Sequence, residues 1–217
     1  MTATLVGATG LIGSYLLEEL LNDLYFDTVR ILIRRPLDVT HPNLEKKIVD
    51  FNDSDSVLVA LSNSDVVFCA IGSTMKKVKG DKDAYRKIDF EIPVNLARFC
   101  KMTGCEKFIL VSSAGANAKS MNFYQRLKGE TDEAVKEAGL KTVHIMRPSL
   151  LLGERKEFRL GENIGKAVMT SLSFLIPEKY KAIPGKDVAK VMVTLSKKND
   201  EGFFIHENRE IRKLAKK

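Results

Sequence analysis

Three side chains in the middle of the chain are spaced for proton transfer at a carbonyl or an alcohol. Ser113 follows the apolar run KFILVS, Tyr124 stands eleven residues later in FYQRLKGE, and Lys128 comes four residues after it. On a helix, positions i and i+4 share a face, so the Lys128 ammonium comes beneath the Tyr124 phenol. Of the five tyrosines, only Tyr124 has a lysine at that offset. A phenol with its ordinary pKa near 10 is a poor base at neutral pH. A cation about 4.5 Å away, at an effective dielectric near 20, favours the phenolate by roughly 3 to 4 kcal/mol, or two to three pKa units. That brings Tyr124 into range as a general acid or base. A serine hydroxyl at a strand end holds the substrate oxygen while the phenol exchanges its proton. Alternation along a strand turns Ser112 and Ser113 in opposite directions, and Ser113 is the one assigned to the cleft.

The hydride carrier such a reaction needs has its own signature near the start of the chain. GATGLIG follows the first apolar strand, with Gly7, Gly10 and Gly13 at three-residue spacing and a helical pattern behind them. Such a turn lets backbone N–H groups approach a pyrophosphate, and the helix N-terminus adds unpaired donors and a positive dipole end. Thr9, Leu11 and Ile12 belong to the same expected contact. A plain glycine-rich turn is the bland alternative. The loop's place between a first strand and a helix, with a second strand at the proper distance, favours a dinucleotide. NAD enzymes usually place Asp or Glu about 20 residues on. Here the second strand ends ILIRRP, and the Arg34 and Arg35 guanidinium groups suit a ribose phosphate and can stack on adenine. NADP(H) is therefore the expected cofactor. After the third strand, Asp50 and Phe51 offer a carboxylate and a ring to the adenine edge.

These positions presuppose elements to hold them. Short β-branched runs at 2–6, 29–33, 47–49, 65–71, 107–112, 142–146 and 203–206 alternate with stretches of helical spacing such as LIGSYLLEELL, DFEIPVNLARFCKM and YQRLKGETDEAVKEAG. This rhythm, with nearly continuous apolar strands in the first half, predicts an α/β doubly wound parallel sheet in one domain spanning 1–217. Pro93 predicts a kink or a helix start. Residues 153–184 fit the alternation least well and are expected to form a small cap over the strand ends.

Composition bounds the partners. The 217 residues are 44% hydrophobic and 29% charged, a soluble globular balance, and no apolar run approaches the ~18 residues of a membrane span. Three cysteines with no C-x-x-C pair suggest neither disulfides nor zinc, and with no basic stretch before the first strand they point to the cytoplasm. The acidic run DFNDSD lacks the Gly and Glu of a calcium loop, and His41, His144 and His206 are scattered, so no metal is expected. The net charge of +7 gathers in residues 75–87 and in the C-terminal tail. With no Trp, and Tyr85 the only aromatic in the first cluster, nucleic acid is not an expected partner. A small-molecule substrate is, for a monomer or homodimer.

GATGLIG, VSSAGA and YQRLK resemble the atypical short-chain dehydrogenase/reductase superfamily. VSSAGANAKSMNFYQRLKGETDEAV, RPSLLLGERKEFRLGE and SLSFLIPEKYKAIPGKDVAKVM are similar to its Tat-interacting-protein-like oxidoreductase branch, over nearly the whole chain. The resemblance implies an NADPH-binding Rossmann core with Ser113, Tyr124 and Lys128 as the catalytic set. It implies cofactor contacts from Cys69, Ala70, Ile71 and Gly72, from Val111, and from Pro148 and Ser149, with Lys128 also binding the nicotinamide ribose. It also implies a second reading, a non-catalytic NADP(H)-binding sensor or assembly factor, because the family includes regulatory members. Unlike related sugar-nucleotide enzymes, the chain is not expected to carry a large substrate domain.

Overall fold

In the computed structural model, which describes residues 1–153 and 181–216, the first strand becomes the centre of the sheet. β1 (Thr2–Val6) pairs in parallel with β2 (Thr28–Ile33) on one side and β4 (Val66–Cys69) on the other. β2 carries β3 (Leu44–Ile48), and β4 leads through β5 (Lys107–Val111) and β6 (Thr142–Arg147) to β9 (Gly202–Glu207). The order β3-β2-β1-β4-β5-β6-β9 reverses direction between β1 and β4. In open α/β sheets that reversal opens a crevice at the carboxyl ends of the two strands, where ligands bind. This is the doubly wound sheet expected from the sequence.

One face of the sheet is covered by α1 (Leu11–Leu21), α6 (Gly185–Ser196) and α7 (Asn208–Leu214). The other face is covered by α2 (Ser54–Leu61), α4 (Ile92–Thr103) and α5 (Phe123–Glu137). Asp53, from the acidic run, caps α2 by accepting from the Asp55 and Ser56 N–H groups, and Asn122 caps α5 from its side chain to the Gln125 N–H. Among the described residues no helix is long and apolar enough to cross a membrane.

Two elements differ from expectation. The third strand lies at 44–48, not 47–49, and its LEKKI sequence is largely exposed, because an edge strand has only one neighbour to bury it. Around Pro93 there is neither a simple kink nor a simple start. α3 (Lys82–Arg86) runs through a π-helical turn (Lys87–Glu91) into α4, with Pro93 in the first turn of α4. Pro93 has no N–H to give the Asp89 carbonyl four residues back, and the Thr131 hydroxyl of α5 donates to that carbonyl instead (3.1 Å). Of the expected 153–184 cap, residues 154–180 lie outside the described residues. Its flanks meet as β7 (Leu151–Leu152) and β8 (Ile183–Pro184), a parallel pair.

Candidate functional site

The glycine loop is built by exclusion. Gly7 holds φ +96°, in the left-handed region, and a Cβ there would stand 2.6 Å from the Ala70 carbonyl carbon at the end of β4. A Cβ on Gly13 would stand 2.0 Å from the Gly7 oxygen. These two glycines let β1, α1 and β4 close on one another, while Thr9 and Gly10 remain exposed at the turn. Gly10 caps α1 without a side chain, and the first turn holds no acidic residue. The helix N-terminus therefore offers donors with no carboxylate in competition, which fits a pyrophosphate. Leu11 instead packs toward Gly153 and Gly185, and Ile12 is buried in the core.

Arg34 and Arg35 emerge exposed just past the carboxyl end of β2. Asp50 is exposed after β3, its Oδ1 accepting from the Asn52 backbone and side-chain N–H groups, and the Phe51 ring is half-buried. Cys69 is fully buried, and burial pushes its thiol up to about 12, so its side chain is core rather than ligand. Ala70 to Gly72 leave the sheet beside the glycine loop. The Pro148 carbonyl accepts from the Ala114 N–H (2.9 Å). Ser149 donates its N–H to Asn208 (3.0 Å) and its hydroxyl to the Lys181 carbonyl.

Ser113 and α5 are joined by a third enforced glycine. A Cβ on Gly129 would lie 2.1 Å from the Ala118 nitrogen, so the loop after β5 can press against the helix only because residue 129 has none. The Asn117 N–H donates to the Gln125 carbonyl (3.0 Å) and seals that contact. Ser112 is buried and Ser113 is half-buried. Tyr124 is 41% exposed, with the Tyr85 ring edge-on 6.5 Å away. Lys128 is only 3% exposed, its Nζ donating to the Val111 carbonyl (3.4 Å) and lying 3.6 Å from Asp89 Oδ1. Burial disfavours the ammonium, yet the Asp89, Tyr124 and Asp132 charges outweigh it and raise the Lys128 pKa above the ordinary lysine value.

Asp89 escaped the sequence reading. It is 2% exposed, and its Oδ2 accepts from the Ser73 N–H (2.7 Å) while Oδ1 faces Lys128. Burial pushes its carboxyl up, against the pull of Lys128 and Ser73. The available signal was Pro93, because a proline in a helical pattern frees the carbonyl four residues earlier and such helix irregularities gather at functional sites. Asp132, four residues past Lys128 on the same face, was equally readable.

A parallel doubly wound sheet with a glycine cradle at its reversal point defines a dinucleotide-binding protein of the Rossmann type. A family model described as NAD(P)H-binding matches residues 7–199, and the chain belongs to that family. It is 32% identical over 192 residues to Protein HTATIP2 of Rattus norvegicus, covering 87% of this chain and 78% of that protein. It is 31% identical over 208 residues to the mitochondrial protein FMP52 of Candida albicans, covering 93% and 90%. Its fold is similar to that of MoeE5 in complex with UDP-glucuronic acid and NAD, with a TM-score of 0.75 at 19% identity over 94% of this chain and 75% of that one. A UDP-N-acetylglucosamine 4-epimerase from Methanobrevibacter ruminantium gives 0.73 at 20% identity, over 95% and 76%. The expectation of a cytoplasmic protein is corrected by these relatives, since the FMP52 proteins of Candida albicans, Scheffersomyces stipitis and Aspergillus fumigatus are named mitochondrial. An odd number of cysteines and an uncharged start to the chain do not tell one thiol-reducing compartment from another.

Proposed function

We propose that the chain is an NADP(H)-dependent oxidoreductase acting on a small carbonyl or alcohol. The observation that carries this reading is the exposed Tyr124 hydroxyl one helical turn from a buried, charged Lys128, at the strand ends that also carry the glycine cradle. The loop of Gly7, Thr9 and Gly10 with the α1 N-terminus would hold the pyrophosphate, and Arg34 with Arg35 the phosphate that distinguishes NADP(H). Bound there, the nicotinamide would supply or accept the hydride. In the reducing direction the Tyr124 O–H gives its proton to the substrate oxygen as that oxygen becomes negative, and Ser113 steadies the same oxygen with a hydrogen bond. Lys128, one turn further along α5, stays cationic beside Asp89. A sensor has no use for a proton donor, so retention of both Tyr124 and Lys128 supports the enzyme over the regulatory reading.

Fluorescence titration with NADPH and with NADH, followed by NADPH oxidation against a panel of small aldehydes and ketones, tests the proposal. NADPH is expected to bind at least about tenfold more tightly, since each charge-assisted grip contributes about 1.5 to 3 kcal/mol. The preference is expected to vanish in an Arg34→Ala/Arg35→Ala variant. Equal affinities for the two cofactors reject the NADP assignment. Tight binding with no turnover across the panel selects the sensor.

A further inference from the structure

Three consecutive residues at the end of β5 meet one stripe of α5. The Val111 carbonyl takes Lys128, the buried Ser112 hydroxyl neighbours the Asp132 carboxylate without closing a hydrogen bond to it, and Ser113 follows at the mouth of the site. Tyr124, Lys128 and Asp132 sit at i, i+4 and i+8, so a single helix face carries all three. Asp132 is 2% exposed, and its Oδ2 accepts from both Nε and Nη2 of Arg147 at 2.9 Å. Arg147, the last residue of β6, reaches on with Nη1 to Glu207 at the end of β9 (3.1 Å), whose side chain is 52% exposed. With Asp89 on the far side of Lys128, the charges alternate along a row from the π-turn through α5 and β6 to the surface: Asp89, Lys128, Asp132, Arg147, Glu207.

We infer that Asp132 and Arg147 are positioning residues for the proposed proton transfer, holding Lys128 charged and the Ser112–Ser113 strand end in place. This rests on the oxidoreductase reading. A buried carboxylate without a partner takes up a proton rather than remain ionised. Burial does push the Asp132 carboxyl up, while Ser112, Arg147 and Lys128 pull against it. Arg147 thus gives the buried Asp132 carboxylate, one turn beyond Lys128 on the same helix face, the partner that favours its ionised form. The other groups about that ammonium are Tyr124 on its own helix and the neutral Cys69 at the end of β4. The Arg147 fork also has a mechanical role. It fixes the end of β6, and the next residue, Pro148, accepts the Ala114 N–H and so steadies the loop that begins at Ser113.

The two roles separate by substitution. NMR titration of the lysine ε-carbons, with Lys128 assigned from a Lys128→Arg variant, needs neither cofactor nor substrate. Asp132→Asn is expected to move the Lys128 titration down by about one pH unit or more, the effect of losing an opposite charge at close range, and Asp132→Glu to restore it. Arg147→Lys keeps the charge and loses the fork. It is expected to leave the Lys128 titration in place and to lower kcat at least about tenfold on whichever aldehyde the panel supplies, with NADPH affinity held within about twofold. An unmoved Lys128 titration in Asp132→Asn, or wild-type kcat in Arg147→Lys, overturns the inference and leaves the pair a structural ion bridge. Should Asp132→Asn fail to fold, the Arg147→Lys kinetics decide alone. A parent protein with no turnover on any panel member refutes the oxidoreductase reading, while the Lys128 titration still reports on the charge row.

Discussion

Removing the Tyr124 hydroxyl deletes one proton donor and little else, because the ring is partly exposed and meets the edge of Tyr85. Tyr124→Phe is therefore expected to keep NADPH affinity near wild type and to lower turnover by roughly a hundredfold or more, the usual worth of general acid catalysis. Parallel fluorescence titration and steady-state kinetics check this, and wild-type turnover in the variant removes Tyr124 from the chemistry. The residues that sequence could read are those whose function follows from local spacing. Lys128 lies one turn from Tyr124, and Ser112 and Ser113 differ by strand alternation. Pro93 and the i+4 step from Lys128 point to Asp89 and Asp132 as positions, but not to their burial, because nothing local distinguishes a charge that faces water from one that faces a buried ammonium. That difference is created by packing, with α4 and α5 both laid on the same face of the sheet.

Elements were legible where their pattern is periodic and buried. The α1 helix spans the apolar run LIGSYLLEELL from end to end, and β1 lies where TATLV placed it. β3 was misplaced because its largely exposed LEKKI run carries no apolar period to find, and the π-turn went unforeseen because Pro93 alone reads as a kink or a start, while the Thr131 hydroxyl that meets the Asp89 carbonyl comes from another helix. Two of the scattered histidines, in β6 and β9, make the next test. His144 in β6 is fully buried, stacked on Phe204, with Nδ1 3.0 Å from His206 Nε2 and Nε2 3.3 Å from Asp200 Oδ1. His206 in turn meets Glu210 of α7 (3.0 Å). Burial lowers the His144 pKa from 6.5 to about 4, with Asp200 opposing and His206 and Lys107 adding to the fall. The unfolded chain then binds a proton that the folded one rejects. The stability this contributes is complete above about 6.5 and lost as pH falls toward about 4, at up to about 1.4 kcal/mol per pH unit. Thermal melts from about pH 7 to about pH 5 should fall more steeply for the parent than for His144→Phe, which keeps a ring against Phe204. Parallel falls in the two proteins reject the assignment.

At the scale of the whole molecule the sequence conveyed a parallel sheet and a place for a dinucleotide, and it also conveyed where positive charge gathers without saying what the charge does. The basic segment leaves the carboxyl end of β4, on the same edge as the glycine loop. Its ends are tied to the site: the Ser73 N–H donates to Asp89, and the buried Tyr85 packs against Phe123 and Tyr124. Lys82 stands over the Phe123 ring, and Arg86 is engaged by Glu130 and the Phe90 ring. Of the segment's cations, Lys82 and Arg86 pack onto its base, and Lys76, Lys77 and Lys79 are exposed at its tip. Three positive charges at the mouth of a cleft raise the local concentration of an anion such as NADPH, an effect that salt weakens because exposed charges are screened within about 8 Å at physiological ionic strength. Reversing Lys76, Lys77 and Lys79 to Glu is expected to slow NADPH association and to flatten its dependence on salt. Because exposed charges contribute little to folding, the melting temperature of the cofactor-free protein should barely change. Stopped-flow association rates with the same ionic-strength slope as wild type would show that the tip does not steer the cofactor and that its charge serves solvation alone.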